Sequence, residues 1–225
     1  MDEAKILYDD LALIIVSGKR SSIVIGDLHI GRELELSKRG VHVYGISNSI
    51  SNRIIALSNR YKTKNLIILG DVKDSISRPR LAELRMLNEF FNGLLDFNIK
   101  ISKGNHDANL SPPSNVVIKK EIIFCGVGML HGNAMPTGRI MMQQTIVIGH
   151  EHPAIRSNDN SLIPAYMIYS INPKKASSRY KNFNRKAKLI SMPSFNHLIV
   201  GSEDSHISPL LKNNIFSKSG AIAAI

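Results

Sequence analysis

The chain has 225 residues, a length that suits one domain, and its 43% hydrophobic content supports a sizeable core and excludes wholesale disorder. A single cysteine, Cys125, excludes an intrachain disulfide, and the apolar run Ile122–Cys125 predicts a buried, inert thiol in a reducing compartment. Lys and Arg number 29 against 18 Asp and Glu, a formal charge of +11, which favours an anionic partner, nucleic acid first, over a merely basic proteome.

Strand-like runs are predicted at Leu11–Val16 and Ile23–Ile25. Ser49 to Tyr61 then places Ile50, Ile54, Leu57 and Tyr61 at helical spacings of three and four. A strand at Leu66–Leu69 follows, and Pro79 opens a helical segment carrying Leu81, Leu84, Leu87 and Phe91. Further strands are expected at Ile99–Ser102, Val116–Ile118, Ile122–Cys125 and Thr145–Ile148. Several are apolar throughout, as in strands covered on both faces, and their alternation with helices argues for an α/β layered fold. Later, Ala165–Ile171, Leu189–Met192 and Leu198–Val200 have no helical pattern between them, which points to an antiparallel second sheet. No run approaches the roughly 18 apolar residues that span a bilayer, and Met1-Asp2-Glu3 has the wrong charge for a signal peptide. The expectation is one cytoplasmic domain over 1–225 with no membrane association.

Polar clusters follow directly after strands: Gly26-Asp27-Leu28-His29, Gly70-Asp71-Val72-Lys73-Asp74 and Gly104-Asn105-His106-Asp107. Loops beyond the carboxyl ends of strands are where open α/β sheets build their sites. Two more pieces come later, Leu130-His131-Gly132 and Gly149-His150-Glu151-His152. Five of the eight histidines fall inside these five pieces. Imidazoles mixed with carboxylate and amide oxygens, without thiolates, suit a borderline divalent ion: manganese first, with iron, zinc or nickel compatible.

The five pieces, in this order, resemble the motifs of the calcineurin-like metallophosphoesterases. The resemblance implies a four-layer αββα sandwich of two mixed β-sheets flanked by helices. It also implies two divalent metal ions, one on Asp27, His29, Asp71 and His152, the other on Asp71, Asn105, His131 and His150, with Asp71 bridging. Phosphoester hydrolysis by attack of a metal-held hydroxide is the implied reaction. By the same resemblance His106 donates a proton to the leaving oxygen or stabilises charge there, Asp107 orients its ring or else accepts backbone N–H bonds in a turn, and Asp74 caps a helix or supports the ligands. Gly26 to Glu33, Lys38-Arg39-Gly40-Val41 and the late Met192-Pro193-Ser194-Phe195-Asn196 further resemble archaeal phosphoesterases related to SbcD-type repair nucleases. That branch implies a phosphodiesterase or nuclease acting on nucleic acid or nucleotide diesters, with a DNA- or RNA-processing protein as a possible partner. A phosphomonoesterase for small phosphates or phosphoproteins is the alternative, and a non-catalytic binding subunit a third, disfavoured by an intact ligand set.

Asn172 to Lys188 carries Lys174, Lys175, Arg179, Lys181, Arg185, Lys186 and Lys188 with no acidic residue, interleaved with Tyr180 and Phe183. Cations for phosphates and rings for bases suit single-stranded nucleic acid; a solvated hairpin loop is the other reading. Arg32 is either a phosphate contact or a surface arginine, and His197 and His206 either reach the substrate or belong to surface or core.

Overall fold

The computed structural model describes residues 4–203 and 207–224. His206 lies outside them. The first half alternates strand and helix: β1 (Lys5–Asp9), β2 (Ala12–Ser17), β3 (Arg20–Ile25), α1 (Arg32–Lys38), α2 (Ile46–Tyr61), β4 (Asn65–Ile68), α3 (Leu81–Asn92), β5 (Asn98–Ser102) and β6 (Val117–Lys119). These six strands form one sheet in chain order, antiparallel from β1 to β3 and parallel from β3 to β6.

The second half comprises β7 (Glu121–Phe124), β8 (Val127–Leu130), α4 (Gly138–Met141), β9 (Thr145–Ile148), β10 (Ala154–Arg156), β11 (Leu162–Ile171), α5 (Pro173–Ser177), β12 (Lys188–Ser191), α6 (Pro209–Lys212) and β13 (Phe216–Ala223). Its sheet runs β10-β11-β12-β9-β8-β7, with β13 also paired to β11. β12 is parallel to β9 and β9 to β8, so this sheet is mixed and not purely antiparallel as its helix-poor sequence suggests.

Alternation along the strands builds three separate cores, and three cores define four layers. Ala12 and Ile14 of β2 face Ile50, Ile54 and Leu57 of α2 and Leu87, Phe90 and Phe91 of α3. Their neighbours Leu13 and Ile15 point the other way, joining Val24 and Ile67 against Met129, Val147, Tyr166 and Ile190 of the second sheet. Ile146, Ile148 and Leu189 cover the far face with Ile140, Met141, Ala176 and Leu210. The architecture is thus two mixed sheets face to face with helices outside. No described helix is long and apolar enough to cross a membrane.

Two expectations change. Leu198–Val200 is irregular chain, not a strand; Leu198 N–H donates to the Asn196 side chain, and Val200 is 77% exposed. Cys125 is half-buried, not buried, because Cys125 and Gly126 form the two-residue turn between β7 and β8. Both have positive φ, 49° and 79°, as the turn's twist requires.

Candidate metal centre

The parallel strands of both sheets end at one pole, and the polar clusters sit there. Asp27 and His29 follow β3, Asp71 follows β4, Asn105, His106 and Asp107 follow β5, His131 follows β8, and His150 and His152 follow β9. Ladder hydrogen bonds continue past the strand ends: Asp27 N donates to Gly70 O at 3.1 Å, His29 N to Asp71 O at 2.9 Å, and Asp74 N to Ile30 O at 3.0 Å. These loops are therefore rigid extensions of the sheet.

Three groups result, each with its ligand atoms within 4.8 Å of one another: Asp27–His29–His152, His29–Asp71–His106, and Asp71–His131–His150. All three are able to hold a metal ion. Asp71 joins two of them; its Oδ2 lies 3.4 Å from His131 Nε2, 3.9 Å from His29 Nε2 and 4.0 Å from His106 Nε2. His152 Nε2 lies 3.2 Å from Asp27 Oδ1. Asn105 is exposed, and its Oδ1 lies 3.1 Å from His131 Nε2. His131 Nδ1–H donates to the Leu69 carbonyl at 2.7 Å, which aims Nε2 into the group. A cleft of about 340 Å³ opens over these residues, lined by His29, Asp71, Asn105, His106, His150 and His152.

The backbone is strained where the cluster is densest. Asp27, His29, Asp71, His150 and His152 have φ between 42° and 68°, a region that costs side-chain-bearing residues roughly 1–3 kcal/mol each. Close approach also requires bare glycines: a Cβ on Gly104 would stand 2.2 Å from Asp71 Oδ1, and one on Gly149 2.5 Å from Asp27 Oδ2.

Burial pushes the carboxyls of Asp27 and Asp71 up, but adjacent imidazoles more than offset it: His152 and His131 beside Asp27, His131 and His106 beside Asp71. Both stay below the usual carboxylate range. Burial opposes a proton on His131, yet Asp71 and Asp27 raise its pKa to about 9. His150 is desolvated and faces His131, and falls to about 4, so its ring is neutral at pH 7. Three buried imidazole nitrogens, His29 Nδ1, His29 Nε2 and His152 Nε2, make no well-directed hydrogen bond among the described residues, although His29 Nδ1 and His152 Nε2 stand within ion-pair reach of Asp74 and Asp27.

Asp107 does not orient His106. Its carboxylate accepts from Asp71 N at 2.9 Å, Val72 N at 2.8 Å and Gly104 N at 2.8 Å, locking the loop after β4 to the loop after β5. His106 is held instead by the Asp74 carbonyl on Nδ1, and its backbone N–H donates to Asp71 Oδ1 at 2.9 Å. The Asp74 carboxylate lies 3.3 Å from His29 Nδ1 and 3.8 Å from Arg32, bringing Arg32 to the edge of the site.

Other supports are hard to see in sequence. Ser194 Oγ donates to Asp27 O and Asn196 Nδ2 to Leu28 O, both at 2.7 Å, so the loop after β12 braces the loop after β3. Lys73 is fully buried and its ammonium donates to the carbonyls of Ser75 and Ser77, while Glu83 accepts from Ser75 N and Oγ. Glu151, between two of the histidines, accepts the backbone N–H groups of Ile207 and Ser208.

The basic segment is not at this pole. It connects the end of β11 to the start of β12, where Ser170 pairs with Lys188, whereas the cluster lies beyond the strands' other ends. Lys174 and Lys175 are on α5; Arg179, Lys181 and Arg185 are exposed. Tyr180 is not available for base stacking: its ring is 8% exposed in the outer core and its hydroxyl donates to the Pro136 carbonyl at 2.9 Å. One helical turn after Ala176, it falls on the apolar side of that turn. Phe183 is half-buried against the same core, with the Arg185 guanidinium 5.8 Å from its ring centre. His197 is exposed.

No family model matches the chain, and no curated protein matches it. The crystal structure of Pseudomonas putida nuclease MPE is similar in fold, with a TM-score of 0.59 at 17% identity, over 92% of this chain and 94% of that one.

Proposed function

We propose that the protein is a metal-dependent phosphodiesterase of the calcineurin-like metallophosphoesterase type, acting on nucleic acid or nucleotide diesters. The observation that carries this reading is Asp71, shared by two histidine groups, one of which includes His29, whose two buried ring nitrogens make no hydrogen bond among the described residues. Leaving such nitrogens dry and unpaired is costly, and divalent cations, manganese first, satisfy them. Asp27, His29, Asp71 and His152 would hold one cation, and Asp71, Asn105, His131 and His150 the other. When bound, the pair supplies Lewis acidity toward a phosphoryl group and lowers the pKa of a water.

The chain's own residues do the rest. The Asp74 carbonyl fixes His106 by accepting Nδ1–H, so it is the imidazolium form that carries a second proton on Nε2 for the leaving oxygen and returns to the neutral ring when it is given up. Asp107 sets the spacing of Asp71 and Asn105 by pinning their loops together. Arg32, with its side chain 39% exposed and 3.8 Å from the Asp74 carboxylate, is the proposed contact for a substrate phosphate. The nuclease fold of the P. putida protein supports the nucleic-acid reading.

After metal removal with EDTA, calorimetry should count two manganese ions per chain, and the reloaded protein should cleave bis-nitrophenyl phosphate faster than nitrophenyl phosphate. Faster monoester cleavage would move the assignment to a phosphomonoesterase. Fewer than two sites, or no hydrolysis with manganese, iron, zinc or nickel, would overturn the two-metal reading.

A further inference from the structure

A second cavity, of about 770 Å³, opens at the opposite pole, where β3, β8, β9 and β12 begin. It is lined by Ser17, Arg20, Cys125, Thr145, Lys186 and Lys188, among others. Four strand residues at about 3.3 Å each put its rim roughly 13 Å or more from the histidine cluster. The volume is in the range of small-ligand sites.

Its charge is one-sided. Arg20 comes from the start of β3 and Lys186 and Lys188 from the segment that enters β12, and no carboxylate lines the cavity among the described residues. None of the three is in an ion pair among those residues. The Arg20 guanidinium stands 5.9 Å from the centre of the Phe124 ring, which restrains it at the rim. Three cations around one concavity, with no ion-pair partner among the described residues and on a chain of net charge +11, repel one another, and a bound anion would relieve that repulsion.

We infer that this cavity is a binding site for phosphate groups of a polyanion, with Arg20, Lys186 and Lys188 as its contacts. The favoured occupant is a single-stranded nucleic-acid backbone. It is separate from the metal centre and would anchor a strand away from the cleft. Binding here needs no metal, so it stands or falls apart from the catalytic reading.

Cys125 lines the cavity and is the chain's only cysteine, which makes it a local reporter. The full-length protein in EDTA is reacted with a thiol reagent, alone and with oligothymidine or inorganic tripolyphosphate. Occupancy should slow Cys125 modification at least about tenfold at saturation. Protection by oligothymidine identifies the strand as occupant, and protection by tripolyphosphate alone a smaller polyphosphate. R20Q/K186Q/K188Q should abolish protection, whereas K186R/K188R should keep it.

Three lost phosphate contacts should also flatten the salt slope of oligothymidine binding by roughly 2 log units per log unit, about 20-fold less loss of affinity from 50 to 200 mM salt. Unchanged thiol reactivity with both probes, or an unchanged salt slope in the Gln variant, would overturn the assignment. Hydrolysis of a small nitrophenyl diester by the reloaded Gln variant should match wild type, because the altered residues lie at the far pole.

Discussion

Asp71→Asn removes one charge from the centre of the site and leaves its shape. The carboxylate is 2% exposed and lies 3.4 Å from His131 Nε2. At an effective dielectric near 20, a unit charge pair at that distance is worth roughly 5 kcal/mol before screening. Without that charge only Asp27 and the Leu69 carbonyl still oppose burial at His131, and its pKa should fall from about 9 toward its ordinary 6.5. Following the ring resonances by NMR across pH in EDTA reads this directly. Calorimetry on the same variant should then count at least one cation fewer, because Asp71 belongs to two of the three groups. Diester hydrolysis should drop more than roughly 100-fold, the upper figure for losing a residue that only supports a ligand. Circular dichroism should be unchanged, since the site's loops stay pinned by Asp107. A variant that keeps both cations, ordinary turnover and a His131 titration near pH 9 would refute the shared role.

The other residues separate by what they touch. His106→Ala should bind both cations and lose roughly 10²–10⁴ in kcat, with a smaller loss on nitrophenolate leaving groups; equal losses on good and poor leaving groups would exclude an acid. Asp107→Ala leaves three buried N–H donors unpaired and should cost roughly 3–5 kcal/mol in urea unfolding of the metal-free protein, and a change within 1 kcal/mol would exclude the lock. His131, raised from 6.5 to about 9, stabilises the metal-free fold fully below pH 6.5, and that contribution fades as pH rises through 9. Cation binding must displace the same proton, so affinity should climb about tenfold per pH unit between pH 7 and 9, with about one proton released in calorimetry; a flat profile would exclude a protonated His131.

Much of the centre was legible because its chemistry is written in short contiguous pieces behind apolar runs. Gly-Asp and Gly-Asn-His-Asp each declare a turn and the candidate site residues it carries. The supports are less legible because they act through backbone groups. Nothing in Asp107's type distinguishes a ring-orienting carboxylate from one that collects three N–H bonds. Tyr180 misled because an aromatic among cations reads the same whether its ring stacks on bases or, as here, fills a core beneath a one-turn helix. The parallel pairing of β12 with β9 was hidden too, since the connection from β9 passes through β10 and β11 before returning. The strained φ values at five of the cluster's residues leave no trace in residue type: none is a glycine. Breaking a local conformational rule at the site, and nowhere so densely elsewhere among the described residues, marks where geometry outranked propensity.

Under the proposed function, charge would explain a preference for phosphoesters. The proposed ligand set contains two carboxylates, Asp27 and Asp71, and otherwise imidazoles and the Asn105 amide; the neighbouring Asp74 carboxylate faces Arg32 as well as His29, and that of Asp107 is taken up by three backbone N–H groups. His150, at about 4, and the hydrogen-bonded rings bring no negative charge. Under the proposed assignment two dications would exceed those two carboxylates, leaving a net positive centre that an anionic phosphate completes. Asn105 matters in that balance. A carboxylate at its exposed position would halve that net charge. Asn105→Asp should therefore raise cation affinity and raise KM for a diester, with the larger penalty at low salt, where surface-side charge is least screened. A lower KM in that variant would mean that substrate charge is read somewhere other than at these residues.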